Sequence, residues 1–265
     1  MRIAIVIFGI PRGSEITQPS IIKNIVKPAE TVGDVALFGH LFLQDTIVNP
    51  RSGESGQLAE SDYKRFSEFS PIVERPMDVL EQWNAYDLFK FGDIYNDNFK
   101  SVCNLFHQLH SLYSATVQIE DYVPDVVIFA RPDLLYHEPL NRHQIISVQR
   151  KPKRIYLPQW QWWNGYNDRF AICGRSAYKI YGRRIELARN YCISENSPLH
   201  AEKLLRFVLI KNNLSIRTML QSASRVRVSN YVKEECFDVN KTTGRDSRKL
   251  FIELRTLQFL SLLRL

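Results

Sequence analysis

Cysteine is scarce in this chain and never close to another cysteine: Cys103, Cys173, Cys192 and Cys236 form no CxxC pair. That excludes a disulfide framework and a zinc ribbon. Three of the four sit in apolar stretches, which suits buried, reduced thiols of a cytosolic protein. The six histidines are equally scattered, with no HExxH or mixed Cys/His spacing, so no zinc motif is present. No apolar run reaches the ~18 residues that a spanning helix needs. The opening run, Ile3 to Ile10, is short and lacks a small-x-small cleavage site, so it reads as a first β-strand and not as a signal peptide. P-loop and GxGxxG spacings are missing, and no internal repeat of any period is found.

What is present is an ordinary globular composition: 265 residues, 45% apolar and 24% charged. That suits one α/β domain, alone or with a small appendage, and a chain of this size buries roughly 70–75% of its unfolded surface without a staple. The formal net charge is +7, and it is uneven. Between Arg142 and Arg189 there are eleven Lys/Arg against two acids, Asp168 and Glu186. Such a segment fits a polyanionic partner or a solvated basic face. Nucleic acid is disfavoured as that partner. The basic tract from Gln149 to Arg154 is short, and no helix-turn-helix, zinc finger or RNP-type strand accompanies it.

Along the chain, β-branched residues predict a strand over 2–8, broken by glycines at Gly9 and Gly13. Ser20–Ala29 reads as a helix up to Pro28, and Asp34–His40 as a second strand. The Pro/Ser/Gly-rich stretch 48–56 reads as a loop. Helical spacing of Val102, Leu105, Phe106, Leu109, Leu112, Tyr113 and Val117 predicts a helix over 99–122. A third strand, 125–130, runs directly into Arg131 and Asp133. Short strands at 154–158 and 170–173 follow, then helices at 176–191 and 198–211 and strands at 214–219 and 225–228. The expected fold is α/β, a Rossmann-like mixed sheet flanked by helices over residues 1–225. Residues 226–265 form a basic, amphipathic, helical C-terminal extension that packs on the body, on a second subunit or on an anionic membrane surface.

Ligands of open α/β sheets bind at the carboxyl ends of the strands, which makes Gly9, Arg12, Arg131 and Asp133 site candidates. A turn at Gly9–Gly13 and a structural Arg131–Asp133 ion pair are the plainer alternatives. Residues 160–169 (WQWWNGYNDR) combine aromatic faces with amides, the pairing that sugar rings require. Core or interface aromatics explain the same composition.

Taken in order, the motifs resemble a group of bacterial glycosyltransferases that build capsules and lipopolysaccharide O-antigens on a GT-A-like nucleotide-sugar fold. The group's G-x-x-R turn corresponds to Gly9–Arg12, its D-V-F-x-H strand to Asp34–His40 with two extra residues, and its R-P-D-L to Arg131–Leu134. Its N-D-R-F-A-I corresponds to Asn167–Ile172 and its P-x-x-x-E helix to Pro198–Glu202. The likeness spans roughly residues 2 to 210. It implies a nucleotide-sugar donor bound by Gly9, Arg12, Arg131 and Asp133. It also implies a glycan or lipid-linked acceptor bound by Trp162, Trp163, Tyr166, Asn167, Arg169 and His200, with Asp168 or Glu202 as catalytic base. It places the enzyme in the cytoplasm or peripherally on the inner face of the membrane. Asp133 is the expected ligand of a Mn²⁺ or Mg²⁺ ion, but a full D-x-D is missing, and basic side chains can stabilise a leaving diphosphate instead. A carbohydrate-binding protein without activity and a nucleic-acid enzyme are the competing classes.

Overall fold

The computed structural model describes residues 1–49 and 52–242. Strand β1 (Arg2–Gly9) is buried on both faces, which is why its sequence runs apolar without alternation. Ile3, Ile5 and Ile7 enter one core layer. Ala4, Val6 and Phe8 enter the other. Strands β2 (Asp34–Phe42), β5 (Ile72–Glu74), β6 (Val126–Ala130), β8 (Arg154–Pro158), β9 (Ala171–Gly174) and β10 (Ser215–Met219) complete a seven-stranded sheet in the order β10-β8-β9-β6-β1-β2-β5. Every pairing is parallel except those of β9, which runs antiparallel to β6 and β8. The ends of β1, β2 and β6 and the start of β9 therefore share one edge. This is the expected α/β fold, a single mixed sheet flanked by helices.

One face carries a helical stretch made of α1 (Ser14–Ile21), a π turn (Ile22–Val26) and α2 (Lys27–Glu30), together with α6 (Arg142–Arg150). The helix runs on past Pro28 because that proline sits in the first turn of α2, where its missing N–H costs little. The other face carries α5 (Lys100–Gln118), α7 (Tyr178–Gly182) and α9 (Ala201–Lys211). The helix expected over 176–191 is broken into α7, a 3-10 turn (Arg184–Leu187) and α8 (Ala188–Glu195). Gly182 lies against α5 so closely that a Cβ there would be 2.0 Å from the Thr116 hydroxyl.

Two smaller pairings cover the carboxyl edge. The stretch expected as a loop over 48–56 forms a hairpin of β3 (Thr46–Asn49) and β4 (Glu54–Gln57), and β7 (Leu134–Tyr136) pairs with β11 (Ala223–Arg225). The boundary expected at 225/226 falls inside a packed region. Val226 N–H donates to the Asp133 carbonyl, Phe237 packs edge-on to Trp160, and the N–H groups of Trp162 and Trp163 donate to the Thr242 carbonyl. The basic amphipathic stretch 248–265 lies outside the described residues. Among the described residues no helix is long and apolar enough to cross a membrane. All four cysteines are unpaired; Cys173 and Cys192 are buried, whereas Cys236 is exposed.

Candidate functional site

The sheet turns from one winding direction to the other between β1 and β6, so the turns leaving these strands flank a crevice. Gly9 ends β1 at φ 114°, and Gly13 starts α1 in the left-handed region at φ 56°. Seven residues singled out in the sequence line one cleft of about 530 Å³ at this edge: Gly9, Arg12, Arg131, Asp168, Arg169, His200 and Glu202.

Asp133 does not reach the cleft surface; it is 1% exposed and lies behind two arginines. Its Oδ1 accepts from Arg131 Nε at 2.9 Å, and its Oδ2 accepts from Arg131 Nη2 at 2.8 Å and from Arg12 Nη2. Burial pushes this carboxyl up, but the charges and hydrogen bonds of Arg131 and Arg12 more than reverse that and hold it well below the usual range. Arg12 also donates through Nη1 to Glu54 at 2.8 Å.

Asp168 faces the cleft. Its Oδ2 accepts from Gln108 Nε2 at 2.8 Å, and Arg184 Nη2, fully buried behind it, lies 3.6 Å away. Gln108 also accepts from Arg131 Nη1 at 2.8 Å, so a single amide links the arginine at the end of β6 to the carboxylate before β9. Glu202, at the start of α9, lies with one carboxylate oxygen 3.2 Å from His200 Nδ1.

The aromatic stretch is mostly core, which corrects the expectation of sugar stacking at Trp162 and Tyr166. Trp162 is 0% exposed, its indole donates to the Pro158 carbonyl at 2.7 Å, and it meets Tyr166 edge to face at 5.4 Å. Neither ring has a free face. Asn167 is also buried and ties the turn, donating to the Trp160 carbonyl at 2.8 Å. Trp163 is 44% exposed but does not line the cleft. Part of the basic segment 142–189 is paired with acids. Arg183 and Lys179 pair with Glu120, Arg189 with Asp87, and Arg169 faces Glu235 at 3.8 Å. The tract 149–154 precedes β8, which runs parallel to β1, and so sits at the opposite end of the sheet from the cleft.

Several residues here carried no sequence signal. Glu54 comes from the hairpin and accepts from Arg12, from Arg227 Nη1 at 2.8 Å and from Val228 N–H at 3.0 Å. Glu235 accepts from Arg225 Nε at 2.6 Å and from Gln161 Nε2 at 2.8 Å. Arg225 and Arg227 line the cleft.

Beneath the Gly9 turn, His40, Glu74 and His110 bring their side-chain nitrogens and a carboxylate oxygen within 4.8 Å of one another. A set of two imidazoles and one carboxylate suits zinc rather than Mg²⁺ or Mn²⁺. Its hydrogen bonding runs the wrong way for a metal. Trp83 Nε1–H donates to His110 Nδ1 at 3.1 Å, so the neutral ring keeps its proton on Nε2, which faces Glu74 at 3.2 Å. The trio is a hydrogen-bonded strut: His40 Nε2 lies 2.8 Å from Glu74, and Ser111, beside His40, accepts from Gly9 N–H at 2.8 Å.

No family model matches the chain, and no curated protein matches it. Among solved structures it is similar to the apo form of mouse xyloside xylosyltransferase 1, with 10% identity over 83% of this chain and 85% of that one, at a TM-score of 0.42. It is also similar to a Bacillus anthracis protein assigned as a glucose-1-phosphate thymidylyltransferase, solved with sucrose, with 12% identity over 85% of this chain and 90% of that one, at a TM-score of 0.38.

Proposed function

We propose that this protein is a glycosyltransferase, moving a sugar from a nucleotide-sugar donor to a glycan acceptor. The observation that carries the reading is a cleft at the carboxyl edge of the sheet, lined by arginines and by the carboxylates Asp168 and Glu202. Glycosyl transfer breaks the bond between an anomeric carbon and a diphosphate oxygen while an acceptor hydroxyl attacks that carbon. Negative charge grows on the departing diphosphate, and preorganised cations lower the barrier. The acceptor hydroxyl loses its proton, and a positioned carboxylate can take it. In this proposal Asp168 is the base, with Gln108 and Arg184 fixing its orientation, and Glu202 with His200 contacts the acceptor. The acceptor class, a surface polysaccharide or lipid-linked glycan, and action at the inner face of the membrane follow from the sequence resemblance and belong to the same proposal.

A binding protein without activity loses its main support, because the aromatic cluster that suggested it is buried apart from Trp163. The test is release of nucleoside diphosphate from a panel of nucleotide sugars, with wild type and Asp168→Asn. The asparagine keeps the shape and removes the base. We expect turnover to fall about 10²–10⁴-fold while donor binding stays within a few-fold. An Asp168→Asn enzyme as fast as wild type would remove Asp168 from the mechanism.

A further inference from the structure

The fold implied by the resemblance ordinarily neutralises the diphosphate with Mg²⁺ or Mn²⁺ held by carboxylates at the end of the strand that is β6 here. These ions take oxygen ligands, typically one or two carboxylates together with phosphate oxygens and water. The residues present do not fit such an ion. Asp133 is the carboxylate at that strand end, and both of its oxygens already accept from guanidinium groups. A divalent cation brought there would meet the charges of Arg131 and Arg12 at hydrogen-bonding distance from its own ligand.

In place of a carboxylate cage, the edge carries an alternating chain of charges. Arg227 and Arg12 share Glu54, and Arg12 and Arg131 share Asp133. Arg225 pairs with Glu235, which Arg169 also faces at 3.8 Å. All five arginines line the cleft, whereas the three acids are buried behind them. The acids thus hold the arginines in place without cancelling them: five arginines against three acids leave two positive charges, and Glu202, which also lines the cleft, reduces the excess to one. Asp168 has its own counter-charge in Arg184. Donor capacity also remains. Arg12 Nε and Arg169 Nη1 are buried without a hydrogen-bond partner, and among the described residues Arg225 Nη1 and Arg227 Nη2 have none either. Guanidinium groups lining a cleft, with donor capacity left over, match the planar, bidentate recognition of phosphate oxygens.

We infer that the cleft binds the diphosphate of its nucleotide through guanidinium groups, chiefly Arg225, Arg227 and Arg169, with no divalent cation between. Asp133, Glu54 and Glu235 act in this arrangement as buried anchors of those arginines. Two of the phosphate-binding side chains follow β10, so the region after the sheet's last strand completes the site. Burial and, after it, the neighbouring Arg225 charge pull Arg169 down to about 10, so an anion placed there favours its charged form.

The inference rests on the nucleotide-sugar reading, and one experiment separates their failures. The full chain is titrated calorimetrically with UDP, GDP, CDP, ADP and dTDP, each in EDTA and in MnCl₂. At least one diphosphate is expected to bind, with dissociation constants in the two buffers within about 3-fold. The matching monophosphate should bind far more weakly. Arg227→Ala and Arg225→Ala should each weaken that binding about 10–100-fold, the loss expected for a charge-assisted hydrogen bond, with melting curves confirming that the variants fold. Binding that is lost in EDTA and restored by Mn²⁺ overturns the inference and keeps the transferase reading. Binding by none of the diphosphates in either buffer overturns the transferase reading itself. The wild-type comparison decides the metal question even if a variant fails to fold.

Discussion

His40 shows how burial decides what a single side chain does. Its ring lies under the first turn, faced by Glu74, His110 and Ser111. Burial, aided by the nearby His110, lowers its pKa below the ordinary 6.5, and contact with Glu74 only partly offsets that. The folded protein therefore resists a proton that the unfolded chain accepts. Stability should fall as pH drops below about 6.5, by at most about 1.4 kcal/mol per pH unit, until the folded ring also titrates. Melting temperatures of wild type and His40→Gln between about pH 7.5 and 5.5 give the check. The wild-type curve should be the steeper, and parallel curves would show that His40 is not the group responsible. Sequence spacing placed His40 at the end of a strand, but it could not reveal the strut. Glu74 and His110 arrive from other elements, and nothing near them in sequence marks them as partners.

At the scale of elements, what the sequence makes legible is what local pattern determines. Strands β1, β2 and β6 and helix α5 fall where β-branched runs and helical spacing put them, because each carries its own apolar signal. The hairpin of β3 and β4 was not legible. Glu54 is a buried carboxylate in a Pro/Ser/Gly-rich stretch, and it is tolerated there only because Arg12 and Arg227 reach it from distant parts of the chain. The tryptophans misled for a related reason. Aromatics mixed with amides describe a sugar platform and a hydrogen-bonded core equally well, and only the Trp162–Pro158 and Asn167–Trp160 bonds tell them apart. The turn at Gly13 joins two of these elements. Its backbone is left-handed, and a Cβ there would lie 2.3 Å from Val226 Cγ1. Gly13→Ala should cost about 1–2 kcal/mol for the conformation alone, and more for displacing Val226. Because Val226 lies between Arg225 and Arg227, the same change should weaken diphosphate binding. A urea melt and a titration read the two effects, and an alanine variant with wild-type stability would mean that the turn adopts another conformation.

For the whole molecule, the arginines of the cleft are drawn from the first turn, the end of β6, the start of β9 and the stretch after β10, so the site exists only when the chain is closed on itself. Residues 226–242 do much of that closing, and Glu235 is their electrostatic hold. Burial raises its carboxyl, but the Arg225 hydrogen bond and the charges of Arg169 and Arg225 prevail and bring it down to about 2. A carboxyl lowered on folding contributes stability that is complete above its ordinary pKa near 4.5 and is lost as pH falls from there toward about 2. Glu235→Gln leaves Arg169 and Arg225 without their shared counter-charge. It should cost about 3–5 kcal/mol at neutral pH, the usual penalty for removing one partner of a buried pair. The difference between variant and wild type should then shrink as the pH is lowered toward 2, since the wild-type carboxyl takes up a proton and becomes equivalent to the amide. Urea denaturation of both proteins across that range gives the answer. A difference that stayed constant down to acid pH would assign the stabilisation to packing of the segment, whereas one that closed between about 4.5 and 2 would assign it to the charge that holds the arginines at the cleft.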